Sequence, residues 1–270
     1  MRNKPQIFLP KQLIKYNDII QKTVVPYIRI NGEMRKTGVY ESKFGGTPYF
    51  PKDMEYPLDY NNKPMKLMAQ LNFAEIPHLD PYPEKGILQF FVTAYDDLMG
   101  LDFDRKVDGD TYKVIYHEEI LPEEMLVNEF PEVDEQHEDF CFPFESEVGL
   151  AFEIGYEALG IADFRANEQL KDVDLDEIVD EDGTEMWDIF AEEISNEGHK
   201  IGGYAFFTQT DPREYSSNGV KDYSILLLQI DTDDENDIMW GDSGVGNFFI
   251  CEEDLKNLDF SKVLYNWDCH

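Results

Sequence analysis

The feature that most constrains this chain is that it resembles itself. Lys43 to Phe50 reads KFGGTPYF and Lys200 to Phe207 reads KIGGYAFF, an offset of 157. LMAQLN, Leu67 to Asn72, matches LLLQID, Leu226 to Asp231, at 159, and GILQFFV, Gly86 to Val92, matches GVGNFFI, Gly244 to Ile250, at 158. Asp97-Leu98 and Leu101-Asp102-Phe103 match Asp254-Leu255 and Leu258-Asp259-Phe260 at 157. After eight extra residues in the first segment, KVIYHE from Lys113 answers KVLYNW from Lys262. Matches in one order at nearly one offset imply a duplicated unit of about 75 residues, a size at which one unit alone is marginal and two gain by sharing a core. The units span about 43–118 and 200–267, with a helical and acidic connection over about 119–199, and the expectation is a single globular domain over 1–270.

Each unit reads as about four strands. PYF and AFF close a segment opened by a Gly-Gly pair, LMAQLNF and SILLLQI are short apolar runs of strand formers, ILQFFV and GNFFI are others, and VIY and VLY end the unit. DDLMGLDF and EEDLKNLDF read as one helical turn before the last strand. Helices are expected outside the units. Leu13, Ile14, Ile20 and Val24 fall at helical spacing between Pro10 and Pro26. Met186, Trp187, Phe190 and Ile194 share one face of a helix over Thr184 to Asn196 stopped by Gly198, and Ala166 to Asp180 also reads as helix. Strands precede it in FCFPFESEVGLAFEI, and the acidic stretch 117–140 reads as an exposed connector between units. The fold class expected is α+β: two similar antiparallel β units about a pseudo-twofold, with helices packed over them.

Charge limits the partners. With 23 basic and 57 acidic residues the chain carries a formal −34, a field that repels phosphate backbones and anionic membranes, so neither nucleic acid nor membrane is an expected partner. Charges and prolines interrupt MRNKPQIFLPKQLIKYND, which therefore does not read as a secretory signal. Cys141, Cys251 and Cys269 show no CxxC spacing and suit thiols in a reducing, cytoplasmic setting.

The runs SKFGGTPYFP, PMKLMAQLNFAEIP and YPEKGILQFFV, with WGDSGVGNFF and the closing VLYNWDC, resemble the YwqG family of bacterial proteins from about Ser42 to Cys269. The resemblance carries no catalytic residue onto this chain, and no cofactor is expected.

GDSG within MWGDSGVGNFFI, residues 239–250, matches the surroundings of the serine in trypsin-like proteases. Val245 follows in place of a glycine, and in the other unit Pro83-Glu84-Lys85 occupies the place of GDS, so Asp242 and Ser243 read as turn formers. DVDLDEIVDEDG, Asp172 to Gly183, has Glu177 where a calcium loop needs glycine, and DTDDENDIMWGD, Asp231 to Asp242, reads as a solvated acidic loop before a weak calcium site. Cys251, Cys269 and His270 match no zinc spacing.

The polar residues repeated inside apolar runs are Gln70 with Gln229, and Gln89 with Asn247. One reading has them bond strand backbone, since a buried amide without partners costs about 1–3 kcal/mol. The other places Gln70, Gln229, the Gly45-Gly46 and Gly202-Gly203 turns and Asp242 along a ligand cleft, with Trp240 and Trp267 as an aromatic wall. Two functions follow: a non-enzymatic binding or inhibitor protein for a basic protein, or an enzyme or sensor with a small-molecule cleft between the repeats.

Overall fold

The structure, a computed structural model, describes residues 5–103, 110–214 and 222–270. Part of the eight-residue insertion expected before Lys113 lies outside them. Ten strands form one antiparallel sheet: β1 Val25–Met34, β2 Lys43–Phe44, β3 Lys66–Asn72, β4 Ile87–Val92, β5 Tyr112–His117, β6 Val148–Glu157, β7 Lys200–Gly202, β8 Ile225–Asp231, β9 Val245–Ile250 and β10 Leu264–Asp268. Their order is β10-β9-β8-β7-β1-β6-β2-β3-β4-β5. Two four-strand meanders thus flank a central pair, β1 with β6, joined from Val25 opposite Glu157 to Met34 opposite Val148.

The same irregularities occur on both sides of that pair. β3 slips register between Leu67 and Ala69 against β4, and β8 between Leu226 and Leu228 against β9. Gly45 and Gly46 have φ of 65° and 70°, Gly202 and Gly203 of 75° and 70°, the left-handed region where a side chain is strained. Each pair turns the chain out of a strand. That corrects the reading of PYF and AFF as strands: the paired residues end at Phe44 and Gly202, and residues 47–50 and 204–207 run outside the ladders. The last strands differ as well. Val114 lies opposite Phe90 and Tyr265 opposite Phe248, so the KVIY and KVLY segments sit two residues apart in register.

One core joins the meanders. Phe90 and Phe248 meet at 4.7 Å, Phe248 stacks on Tyr265 at 4.5 Å, and Ile28, Ile30, Val148 and Leu150 line the same interior from the central pair. Tyr82 donates across to the Leu226 carbonyl at 2.6 Å and Tyr112 to that of Val263 at 2.6 Å, which satisfies hydroxyls that burial would otherwise leave costly.

Helix is scarce. The N-terminal segment is a 3-10 turn, Lys11–Tyr16, running into α1, Asn17–Thr23; Leu13, Ile20 and Val24 are buried, whereas Ile14 is exposed and Pro26 belongs to β1. The tighter 3-10 winding rotates Ile14 off the face that an ideal α-helix would give it. α2 is only Ala166–Gln169, so the rest of 166–180 is not helical, and α3 is Met186–Glu193 with Met186, Phe190 and Ile194 buried and Trp187 exposed. α4, Glu252–Lys256, precedes β10. The 117–140 stretch crosses back toward β6 and is tied down on the way: Val127 bonds the Phe50 carbonyl at 2.9 Å and Leu126 is buried.

Candidate functional site: an acidic aromatic groove

The repeated amides are buried and bonded to backbone. Gln70 Oε1 accepts the Tyr49 N–H at 2.7 Å, and its Nε2 donates to the Val39 and Glu41 carbonyls, both at 2.9 Å. Gln229 Oε1 accepts the Phe206 N–H at 2.8 Å, and its Nε2 donates to the Asn196 and Gly198 carbonyls at 3.0 and 2.8 Å. Every one of these partners differs by 157 in number between the halves. Ser42 Oγ accepts from Asn72 N–H where His199 Nδ1 accepts from Asp231 N–H, both at 2.9 Å. The glutamines therefore fasten the loop that leads into β2 or β7 onto β3 or β8.

The halves part company one layer further out. Gln89 donates to the Tyr49 carbonyl and takes a bond from His117 Nε2 at 2.9 Å, and burial lowers the His117 pKa to about 4, which keeps the ring neutral. Asn247 donates to the Phe206 carbonyl, but its Oδ1 is buried with no partner. In the ladder Asp268 occupies the place of His117, and its carboxylate is taken by Thr208 N–H and Oγ1 at 3.1 and 3.0 Å. Burial raises the pKa of Asp268.

The other expected site residues are dispersed. Gly202 and Gly203 edge a cleft of about 260 Å³ with Pro26, Pro81, Tyr82 and Arg165. Gly45 and Gly46 pack instead against Phe144 and the Glu147 side chain. Trp240 is wholly buried, its Nε1 unpartnered and its ring against Gly246, where a Cβ would lie 2.4 Å from it. Asp242 and Ser243 occupy an exposed turn closed by Gly244 N–H on the Trp240 carbonyl at 2.7 Å, with Ser243 at φ 57°. The Asp242 carbonyl accepts the backbone N–H of His270 at 3.1 Å. In the acidic loop Asp231 caps Gly198 and Thr232 N–H, while Asp233 bonds His199 Nε2 at 3.2 Å and Asn236 at 2.6 Å. Among the described residues no group of three or more His, Cys, Asp or Glu is placed to hold a metal ion.

Of the predicted residues only Trp267 lies in a groove made of two adjoining clefts of about 300 and 310 Å³ that share Gln209 and Thr210. One cleft has Trp187, Ala191, Ile194 and Glu214 on its wall, and the other Leu98, Phe103, Trp267, Asp97 and Asp102. Trp187, Leu98 and Phe103 are exposed, at 47%, 37% and 75%. Trp267 is held edge-in by its Nε1–H on the Leu98 carbonyl at 2.6 Å and by Trp240 at 6.0 Å. Residues 208–209, the ridge between the clefts, are clamped to the C-terminal strand through Asp268 and through Gln209 Nε2 on the Cys269 carbonyl at 2.7 Å.

Beneath this ridge lies a buried ion network. Arg213, fully buried, makes a fork to Asp211 at 2.8 and 2.7 Å and reaches Asp163 at 3.2 Å, and Arg165 forks onto Asp163 at 2.7 and 2.6 Å. Two arginines face two carboxylates, so the network is formally neutral and leaves Asp97, Glu214 and Asp268 as further carboxylates on the groove wall. No Lys, Arg or His lines either cleft among the described residues. Trp187 and Phe103 were legible only as helix-face and turn residues. Their exposure comes from where tertiary packing stops.

Residues 42–269 match the family described as a domain of unknown function, DUF1963, and the chain belongs to that family. The comparison with curated proteins gives no match. No helix of the described residues is long and apolar enough to cross a membrane.

Proposed function

We propose that this is a non-enzymatic binding protein whose groove takes an exposed segment of a basic polypeptide. The observation that carries the reading is the lining: open aromatic faces at Trp187 and Phe103, carboxylates at Asp97 and Glu214, and no cation among the described lining residues. A lysine or arginine side chain gains there from ring faces and carboxylates together, by about 0.5–2 kcal/mol for each cation–π contact. The chain's −34 charge steers such a partner in. An inhibitory or immunity role against a basic protein is one form of this function. Free thiols at Cys141, Cys251 and Cys269 support a cytoplasmic setting, and the motifs quoted above support kinship with YwqG proteins.

We also propose that the halves are copies of one ancestral unit. What supports it is the repeated bonding of Gln70 and Gln229 at one offset, together with the two matching bulges.

A small-molecule cleft at the repeated amides is the weaker reading, because Gln70 and Gln229 spend their polar atoms on backbone. The test is titration of the protein with a short lysine- and arginine-rich peptide, followed by tryptophan fluorescence. Affinity should fall as salt rises and fall further in Trp187→Ala; binding that ignores both changes would remove the groove from the account.

A further inference from the structure

We propose that a second copy of this chain docks along the open edge of β6, the two strands running antiparallel about Ile154. The edge can be read from the ladder. Leu150 N–H points away from β1, since it donates to the Ser42 carbonyl at 3.2 Å. Alternation along the unbroken β1–β6 register then turns the backbone groups of Phe152, Ile154 and Tyr156 the same way. β2 covers only Val148 and Gly149, and among the described residues no backbone partner is found for the outward groups of those three. Their side chains share one face, on which Ile154 is 49% and Tyr156 40% exposed. The corresponding edge of β1 is occupied: β7 pairs with Tyr27 to Arg29, Ile30 bonds His199, and Asn236 reaches the Gly32 carbonyl. A strand with open hydrogen-bonding groups and apolar side chains is a template for another strand.

The sequence of β6 selects its own copy and one register. Centring the pairing on Ile154 sets Ile154 against Ile154 and Phe152 against Tyr156. On the other face Glu153 then meets Gly155, and Glu157 meets Ala151. Sliding by two residues one way puts Glu153 opposite Glu153, and the other way puts Glu153 opposite Glu157, like charges that destabilise a pair. In the favoured register three outward pairs make about six backbone bonds. Two chains of −34 repel each other, so salt should strengthen this dimer, opposite to its effect on a basic ligand in the groove.

Sedimentation equilibrium over a range of protein concentration and ionic strength tests this. The expected result is a species of twice 31.5 kDa whose fraction rises with salt, and which Ile154→Lys and Tyr156→Lys each return to the single-chain mass with an unchanged thermal midpoint. Met34→Lys, on the exposed end of β1, should leave the dimer intact. A single-chain mass at every ionic strength overturns the proposal, as does a dimer that survives both β6 substitutions. Neither result bears on the groove, which contains no β6 residue.

Discussion

Gln70 accepts the side-chain amide of Gln89 at 2.8 Å, so two buried glutamines on neighbouring strands lock each other while each also holds backbone. Truncating Gln70 strands the Tyr49 and Gln89 N–H groups and two carbonyls in the core. Gln70→Ala should cost roughly 3 kcal/mol or more, seen as a lower denaturant midpoint at unchanged slope. Gln229→Ala should cost somewhat less, because Asn247 bonds the Phe206 carbonyl and not Gln229, so one fewer donor is stranded.

His117 makes stability depend on pH. Its folded pKa of about 4 lies below the unfolded value of 6.5, so between these the unfolded chain binds more protons and stability falls as pH falls. The loss from this one group is about 3 kcal/mol across that window. His117→Gln, which can still donate to Gln89, should flatten the slope of unfolding free energy between pH 6.5 and 4 while leaving stability at pH 8 within about 1 kcal/mol. An unchanged slope would mean that other groups govern it.

Arg213 does for Phe207 and Phe249 what Tyr56 does for Phe50 and Phe91. The guanidinium lies 4.0 Å from the Phe249 centroid, and the Tyr56 ring 5.7 Å from that of Phe91. Arg213→Met leaves Asp211 buried without its partner and should lower stability by about 3–5 kcal/mol. Combining Arg213→Tyr with Asp211→Asn removes charge from both partners and should recover most of that loss; thermal unfolding of the single and double variants checks it.

Trp187 is half exposed on α3 and supports the groove without bracing the core. Trp187→Ala should weaken binding of a basic peptide by about tenfold, the equivalent of 1.4 kcal/mol, and shift the unfolding midpoint little. Calorimetric titration and a thermal scan on one preparation separate these effects.

The sequence already marked most of the outer strands. The runs around Gln70, Gln89, Gln229 and Asn247 occupy β3, β4, β8 and β9, because short apolar runs of strand length between polar turn segments leave few alternatives. The central pair was harder to see. VPYIRINGEM has a proline, a glycine and three charged or amide side chains, and it is a strand because β6 and β7 supply its partners rather than from its own propensity. Which buried amides find backbone within reach is a physical point that one sequence does not show, and Gln70 and Gln229 both find it. The groove was invisible for a related reason, since Trp187, Phe103 and Trp267 come from segments far apart that meet only through the shared ridge at Gln209 and Thr210.

The most direct test of the groove compares three proteins against one lysine- and arginine-rich peptide at low and physiological ionic strength: the wild type, Asp97→Asn with Glu214→Gln, and Asp53→Asn with Glu55→Gln. Each double variant removes two exposed or half-exposed carboxylates, but only the first pair lines the groove. The groove variant should lose most of the affinity and most of its salt dependence, while the distal variant stays close to wild type. Equal losses in the two variants would show that the peptide responds to net charge alone, and would contradict a binding groove at Trp187, Phe103 and Trp267.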